Sequence, residues 1–387
     1  MGSDFDQYTM YGGRTKCNVA DDGAIAAFYG DNNYKEDGSN GQVMIYQPKF
    51  YYKRIIRNAE ALNRGYVIRH EELLLSATPQ QGFKLAPIFG NDLDYVLLPA
   101  YDGSLDNGRL CSVAGAYPAI NMTIAQAESY ANARGEGWHI MNMAAESANQ
   151  MLEIVEFGTM NGQSALEEGI TYSPNGGNGP FYFITGSTAS LGNGTGHATS
   201  TQVDINGTIS TMTENGKRAI CYRGMENPWG NLWSMIGGIN IIGNGAQSAG
   251  VPYICTNFNY TPGSAGSNYE DIGFNLSNYY NGWINAMGYG NEKYDWVYLP
   301  VECNTDANSL LPVGDALWLI PNLNGAMIAA TGGSYGYKEA CGPFYYALDR
   351  SANESARINY GAKLLYIPTK NETYEANIAK WNTYMGG

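Results

Sequence analysis

The sequence predicts an α+β fold, with two helices embedded among many short strands. Three observations predict it. Apolar residues fall at helical spacing in only two well-capped segments, near 123–134 and 142–157. Elsewhere, short aromatic and β-branched runs are separated by Gly and Asn turns. Strands and helices do not alternate, so a doubly wound parallel sheet is not expected. The 49 glycines and 31 tyrosines among 387 residues fit a turn-rich chain with hydrogen-bonding aromatic surface.

In chain order, residues 1–42 read as a polar, β- and turn-rich connecting segment ("ADDGAIAAFYGDNNYKEDGSNG"). "QVMIYQPKFYYKRIIR", from Gln42, is the first strong strand signal. Residues 58–110 alternate short strands with turns. The first helix has Thr123 and Gln126 as a capping box, Ile124, Ala127 and Ala131 on one face, and Gly135 as its stop. Gly137–Ile140 reads as a strand or turn. The second helix places Ala144, Ala148, Met151, Leu152 and Val155 on one face and ends at Gly158. Residues 160–216 are rich in Gly, Asn, Ser and Thr and read as a large polar insertion with hairpins. Near the end, Phe344, Tyr346 and Leu348 alternate like the buried face of a strand. The side-chain period of two turns Tyr345, Ala347 and Asp349 the other way. Gly361–Leu365 reads as a closing core strand, and 369–387 as a tail. No fixed-period repeat occurs.

Charge and composition exclude several functions. The net charge of −14, with only 22 Lys and Arg, does not suit nucleic acid or an anionic membrane surface. No apolar run approaches 18 residues, so membrane insertion is not expected. The polar start "MGSDFDQYTMYGG" is not a signal peptide, and "MGS" has the form of an expression scar. The six cysteines show no C-x-x-C or zinc-knuckle spacing and read as reduced core thiols, although an even number leaves disulfides open. The histidines are His70, His139 and His197. No catalytic triad can be assembled from their spacing; His139 reads as a packed, hydrogen-bonding residue and His197 as solvated.

Three segments together resemble the C-type lectin fold in the subtype typified by the formylglycine-generating enzymes. "AQAESYANARGEGWHIMNMAAESANQM" matches the helix–turn–helix, with Gly137-Trp138-His139 at a turn where the family has Arg and Pro nearby. "YRGMENPWGNLWSMIGGINI" matches in Gly230-Asn231-Leu232-Trp233. Gly332-Gly333-Ser334 precedes Tyr335 where Trp is usual, and Gly361-Ala362-Lys363 stands where Gly-Phe/Ala-Arg is usual. The resemblance spans 43–368 and implies one lectin-like domain containing the 160–216 insertion.

The pairing of "YRGMENPWGNLW" with the C-terminal "CGPF" run is similar, more narrowly, to variable proteins of diversity-generating retroelements and related phage tail proteins. That resemblance implies a receptor-binding protein of a virion tail tip, with a ligand-binding face of diversified side chains. The implied face is Tyr335, Gly336, Tyr337, Lys338, Tyr345, Ala347, Asp349, Arg350, Asn353, Arg357 and Asn359, expected as one exposed patch. Gly, Tyr, Ala, Asp, Arg and Asn can all arise from an asparagine codon by adenine changes; Lys338 and Glu354 cannot. The implied partners are a host-cell surface receptor, protein or glycan, and other tail proteins, with homotrimeric assembly. Two alternatives stand beside this: an oxidative enzyme of the formylglycine-generating type, and a bacterial surface or pilus-tip adhesin. The enzymes use paired cysteines with copper, whereas Cys341 stands alone. The calcium-site order Glu-Pro-Asn is absent, since "ENPW" runs differently and no Trp-Asn-Asp follows. No cofactor and no enzymatic activity are expected.

Overall fold

The computed structural model describes residues 4–56, 66–67, 71–173, 179–199, 202–210 and 214–386. The fold is α+β, mostly sheet with few helices. A six-stranded antiparallel sheet has the order Trp138–Ile140, Leu364–Tyr366, Tyr95–Pro99, Gln42–Pro48, Thr15–Val19, Ile25–Phe28. A larger, ten-stranded sheet runs from Tyr269–Asp271 through Val251–Cys255, Trp233–Asn244, Asn324–Gly332, Gly342–Arg350, Ala316–Trp318 and Asn281–Gly288 to Pro300–Asn304. Residues 360–366 connect the two. Tyr360–Gly361 pairs in parallel with Trp233–Ser234, and Leu364–Tyr366 then enters the six-stranded sheet.

Both expected helices form, and their caps explain their bounds. Helix Ile124–Asn132 starts at the complete Thr123/Gln126 capping box. Helix Met143–Phe157 starts where the Asn142 side chain accepts from Ala145 N, and ends at Gly158 in the left-handed region, φ 67°. The long helix packs on Trp233–Asn244, and its Gln150 amide donates to Pro343 O at 2.7 Å and to the Tyr346 hydroxyl at 3.0 Å. The long helix therefore contacts the strand Gly342–Arg350. However, 342–350 and 364–366 belong to two different sheets.

Residues 4–42 are part of the fold and not a separate connection. Thr15–Val19 is fully buried and pairs along its length with Gln42–Pro48. Its polar residues hid this strand: Lys16 Nζ lies 3.3 Å from Glu36 Oε1 and 3.0 Å from the Tyr101 hydroxyl. Asn18 exchanges hydrogen bonds with the Lys35 backbone. The expected tail is likewise part of the fold, as helix Glu372–Tyr384. Trp381 stacks on Tyr46 at 5.0 Å and Tyr374 on Tyr95 at 5.1 Å. Asn377 accepts from Ile25 N, and Lys380 donates to Ile25 O, so the helix covers the outer edge of the last strand. The 160–216 stretch does contain a hairpin, Gln202–Val203 with Ile209–Ser210. It also builds a second apolar cluster in which Phe181, Tyr182 and Phe183 join Ile170, Leu232 and Tyr335.

The family-like motif residues hold these parts together. Glu226 is buried and accepts from Gly186 N, Thr188 N and the Thr188 hydroxyl, clamping the insertion. Asn231 accepts from Phe183 N and donates to Asp102, which also pairs with buried Lys363 at 3.2 Å. No helix among the described residues is long and apolar enough to cross a membrane.

Candidate ligand-binding site

The strand Gly342–Arg350 is buried from Gly342 through Asp349, with only Arg350 half-buried. Phe344, Tyr346 and Leu348 face the helix side, as the alternation predicts. The other face is the correction: Tyr345 is 1% exposed, Ala347 3% and Asp349 6%, so the expected exposed patch does not exist there. The strand is central, flanked by Asn324–Gly332 on one side and by Ala316–Trp318 on the other. Its outer face is then roofed by aromatic rings. Tyr345 sits 4.5 Å from the Trp233 ring and 5.7 Å from Tyr337, and the Trp318 indole N–H donates to its hydroxyl. Tyr335 is also buried. It packs in the second apolar cluster near Phe181 and donates to Ile358 O at 3.4 Å, which makes it scaffold.

Close packing fixes the start of the strand. A Cβ on Gly342 would fall 2.1 Å from Asp315 Oδ1. Asp315 accepts from Phe344 N at 2.8 Å, and burial pushes its carboxyl well above the usual range.

A cleft of about 130 Å³ is lined by Trp233, Trp318, Tyr337, Ala347, Asp349, Arg350, Arg357, Asn359 and Tyr360. Six of the eleven residues predicted from sequence meet here: Tyr337, Ala347, Asp349, Arg350, Arg357 and Asn359. Gly336, Lys338 and Asn353 are exposed but do not line the cleft. Its aromatic walls, Trp233, Trp318, Tyr337 and Tyr360, come from four parts of the chain. Tyr337 meets Trp233 at 5.4 Å and Trp318 at 6.2 Å, both edge-on. Tyr280, 56% exposed, extends the aromatic rim beyond Trp318 at 6.0 Å.

The charged groups line the same cleft. Arg350 Nη1 lies 2.8 Å from Asp349 Oδ2 and donates to the Asp349 carbonyl at 3.0 Å. Arg357 donates its Nε to Glu354 O, and Asn359 donates to the Ser334 hydroxyl at 3.4 Å. Burial raises the Asp349 carboxyl pKa, while Arg350 and Arg357 pull it back. Two guanidinium groups and one carboxylate line the cleft, and Glu354 stands close enough to act on Asp349 as well.

Sequence reasoning missed Trp318, Tyr360 and Tyr280, and read Trp233 only as part of a motif. Trp318 joins the site through the parallel pairing Leu317↔Tyr346 and Trp318↔Ala347, which no local pattern reveals. The remaining candidates carry no visible chemistry. Cys341 is fully buried, and burial together with the nearby Asp315 pushes its thiol well above its usual value. All six cysteines are buried and free. His139 Nδ1 is 2.8 Å from Glu128 Oε1, as expected of a packed residue. His197 is half-buried and pairs with Glu167 at 3.0 Å instead of standing in solvent. His70 lies outside the described residues. Among the described residues, no group of three or more His, Cys, Asp and Glu side chains is placed to hold a metal ion.

A more apolar cavity of about 180 Å³ lies at the start of the long helix, beside Phe258 and Trp296. Its one cation, Lys293, is held by Glu270 at 2.6 Å. The chain matches no protein-family model and no curated protein.

Proposed function

We propose that the protein is a receptor- or ligand-binding protein of a phage tail tip, with a C-type lectin-like fold and a recognition cleft built by its C-terminal segment. It acts on the virion, alongside other tail proteins and as a homotrimer, and contacts a host-cell surface receptor. The observation that carries this reading is convergence. Residues picked from sequence as diversified contact positions, separated by up to 22 places in the chain, line one cleft together with three aromatic scaffold rings. Tyr, Trp and Arg supply contact area and forked donors at low entropic cost, the composition of binding hot spots.

The test is adsorption to host cells. The labelled full chain should bind host cells, and the triple variant Arg350→Ala, Arg357→Ala, Asn359→Ala should not, while retaining the parent's circular dichroism spectrum and melting curve. Undiminished adsorption by a folded triple variant would refute the reading. A reverse transcriptase with a matching template repeat beside the gene would support the origin of the diversity.

A further inference from the structure

We infer that the cleft takes a single acidic sugar ring, with its carboxylate at Arg357 and Arg350 and its C–H face against Trp318 and Tyr337. This rests on the recognition reading above and names the ligand chemistry. Four observations lead to it.

The first is size. A cavity of about 150 Å³ accommodates a benzene-sized ring, and this cleft is about 130 Å³. It therefore has room for one six-membered ring. The second is charge. An aromatic box with a carboxylate beside it would by itself suit a cation. Here Arg350 already occupies Asp349, and Arg357 adds a further positive charge. The groups that line the cleft are left with one positive charge in excess, with Glu354 outside the lining but close enough to act on Asp349. That matches one carboxylate; a second negative charge on the ligand would meet Asp349 without a partner.

The third is hydrogen-bonding capacity. Arg357 commits only its Nε, to a backbone carbonyl, which leaves its η nitrogens for forked contact with a carboxylate. Arg350 uses one Nη on Asp349, so the second Asp349 oxygen can accept from a ring hydroxyl. Asn359 uses its amide nitrogen on Ser334 and keeps its carbonyl oxygen as an acceptor. Acceptors of this kind suit a ligand rich in hydroxyl donors, whereas an acidic side chain of a protein offers none. The fourth is the wall. Trp318 and Tyr337 are only half-buried, so they present apolar ring surface beside the polar wall. A pyranose has both a C–H face and an equatorial fringe of hydroxyls, and can use both walls at once.

The probes are methyl glucuronide, N-acetylneuraminate, methyl glucoside and a hexaglutamate peptide. Each is titrated into the full chain by calorimetry and saturation-transfer NMR at low salt. At least one acidic sugar should bind, with saturation reaching its ring protons. Methyl glucoside has the same ring as methyl glucuronide without the carboxylate, and it should bind at least roughly tenfold more weakly than the acidic sugar. Arg357→Gln should weaken the acidic sugar by a similar factor, and Trp318→Leu should abolish ring-proton saturation. Equal binding of glucoside, tighter binding of hexaglutamate, or no binding of either acidic sugar overturns the inference. The two readings fail separately. If Arg357→Gln abolishes cell adsorption but no sugar binds, the saccharide assignment falls and the recognition cleft stands. If acidic sugar binds but adsorption is unchanged in the variant, the receptor role falls and the sugar site stands.

Discussion

Replacing Tyr345 separates a buried support from an exposed contact. An exposed tyrosine would lose within about 0.5 kcal/mol on truncation. Tyr345 is instead 1% exposed, wedged between Trp233 and Tyr337, with its hydroxyl accepting from Trp318. Tyr345→Ala therefore removes a whole ring from close packing, a change that costs about 3–5 kcal/mol for large aromatic residues. Unfolding entropy of about 2 cal/mol/K per residue over 387 residues gives roughly 0.8 kcal/mol per degree. A loss of about 4 kcal/mol should then lower the melting midpoint by roughly 5 °C. Tyr345→Phe keeps the ring and leaves only the Trp318 N–H without its acceptor. Trp318 is half-buried and can turn to water, so the cost should be about 1 kcal/mol. Urea titration followed by circular dichroism measures both, with the midpoint moving and the slope unchanged. A Tyr345→Ala variant within about 0.5 kcal/mol of the parent would refute the buried placement and restore Tyr345 as a surface contact.

Three further outcomes are expected. Lys363→Met alone should destabilise by about 3–5 kcal/mol, because it strands Asp102 in the core; adding Asp102→Leu should recover much of this in a double-mutant cycle. Glu153 is 2% exposed, and burial pushes its carboxyl up to about 8, well above the value of an unfolded chain. The native state thus holds the proton more tightly. The stabilising contribution is complete below about pH 4.3 and falls by up to about 1.4 kcal/mol per pH unit as pH rises through the window ending near 8. Urea midpoints across pH should show such a slope in the parent and a shallower one in Glu153→Gln, the remainder coming from other buried carboxyls such as Glu146, which burial pushes up to about 7. Finally, all six thiols should resist an aromatic disulfide reagent in the native chain and react together on denaturation, since each is buried; rapid native labelling of Cys341 would contradict its placement.

The parts legible from sequence were those with local causes. The capping box at Thr123, the Asn142 cap and the left-handed Gly158 fix two helices within single turns of chain. The cleft was half legible, because Arg350, Arg357 and Asn359 follow one strand closely. What stayed hidden depends on distant partners. Thr15–Val19 looks polar because Lys16 and Asn18 find acceptors and donors far from their own turn. The last helix buries little beyond Tyr374 and Asn377, so its sequence carries a weak apolar stripe. Tyr345, Ala347 and Asp349 alternate with Phe344, Tyr346 and Leu348, but alternation separates two faces without saying that one meets solvent. Here both faces are covered.

The helix Glu372–Tyr384 that covers Ile25–Phe28 also sets a timetable. A ribosome adds about 5–20 residues per second. Some 356 residues separate Phe28 from Tyr384, so roughly 20–70 s pass between synthesis of the strand and synthesis of its cover. Through that interval the outward amide and carbonyl of Ile25, later taken by Asn377 and Lys380, are open to pairing with any other extended chain. The growing polypeptide is therefore open to mispairing along this strand until its cover is made, and a nascent chain halted before residue 377 should be a species that chaperones hold.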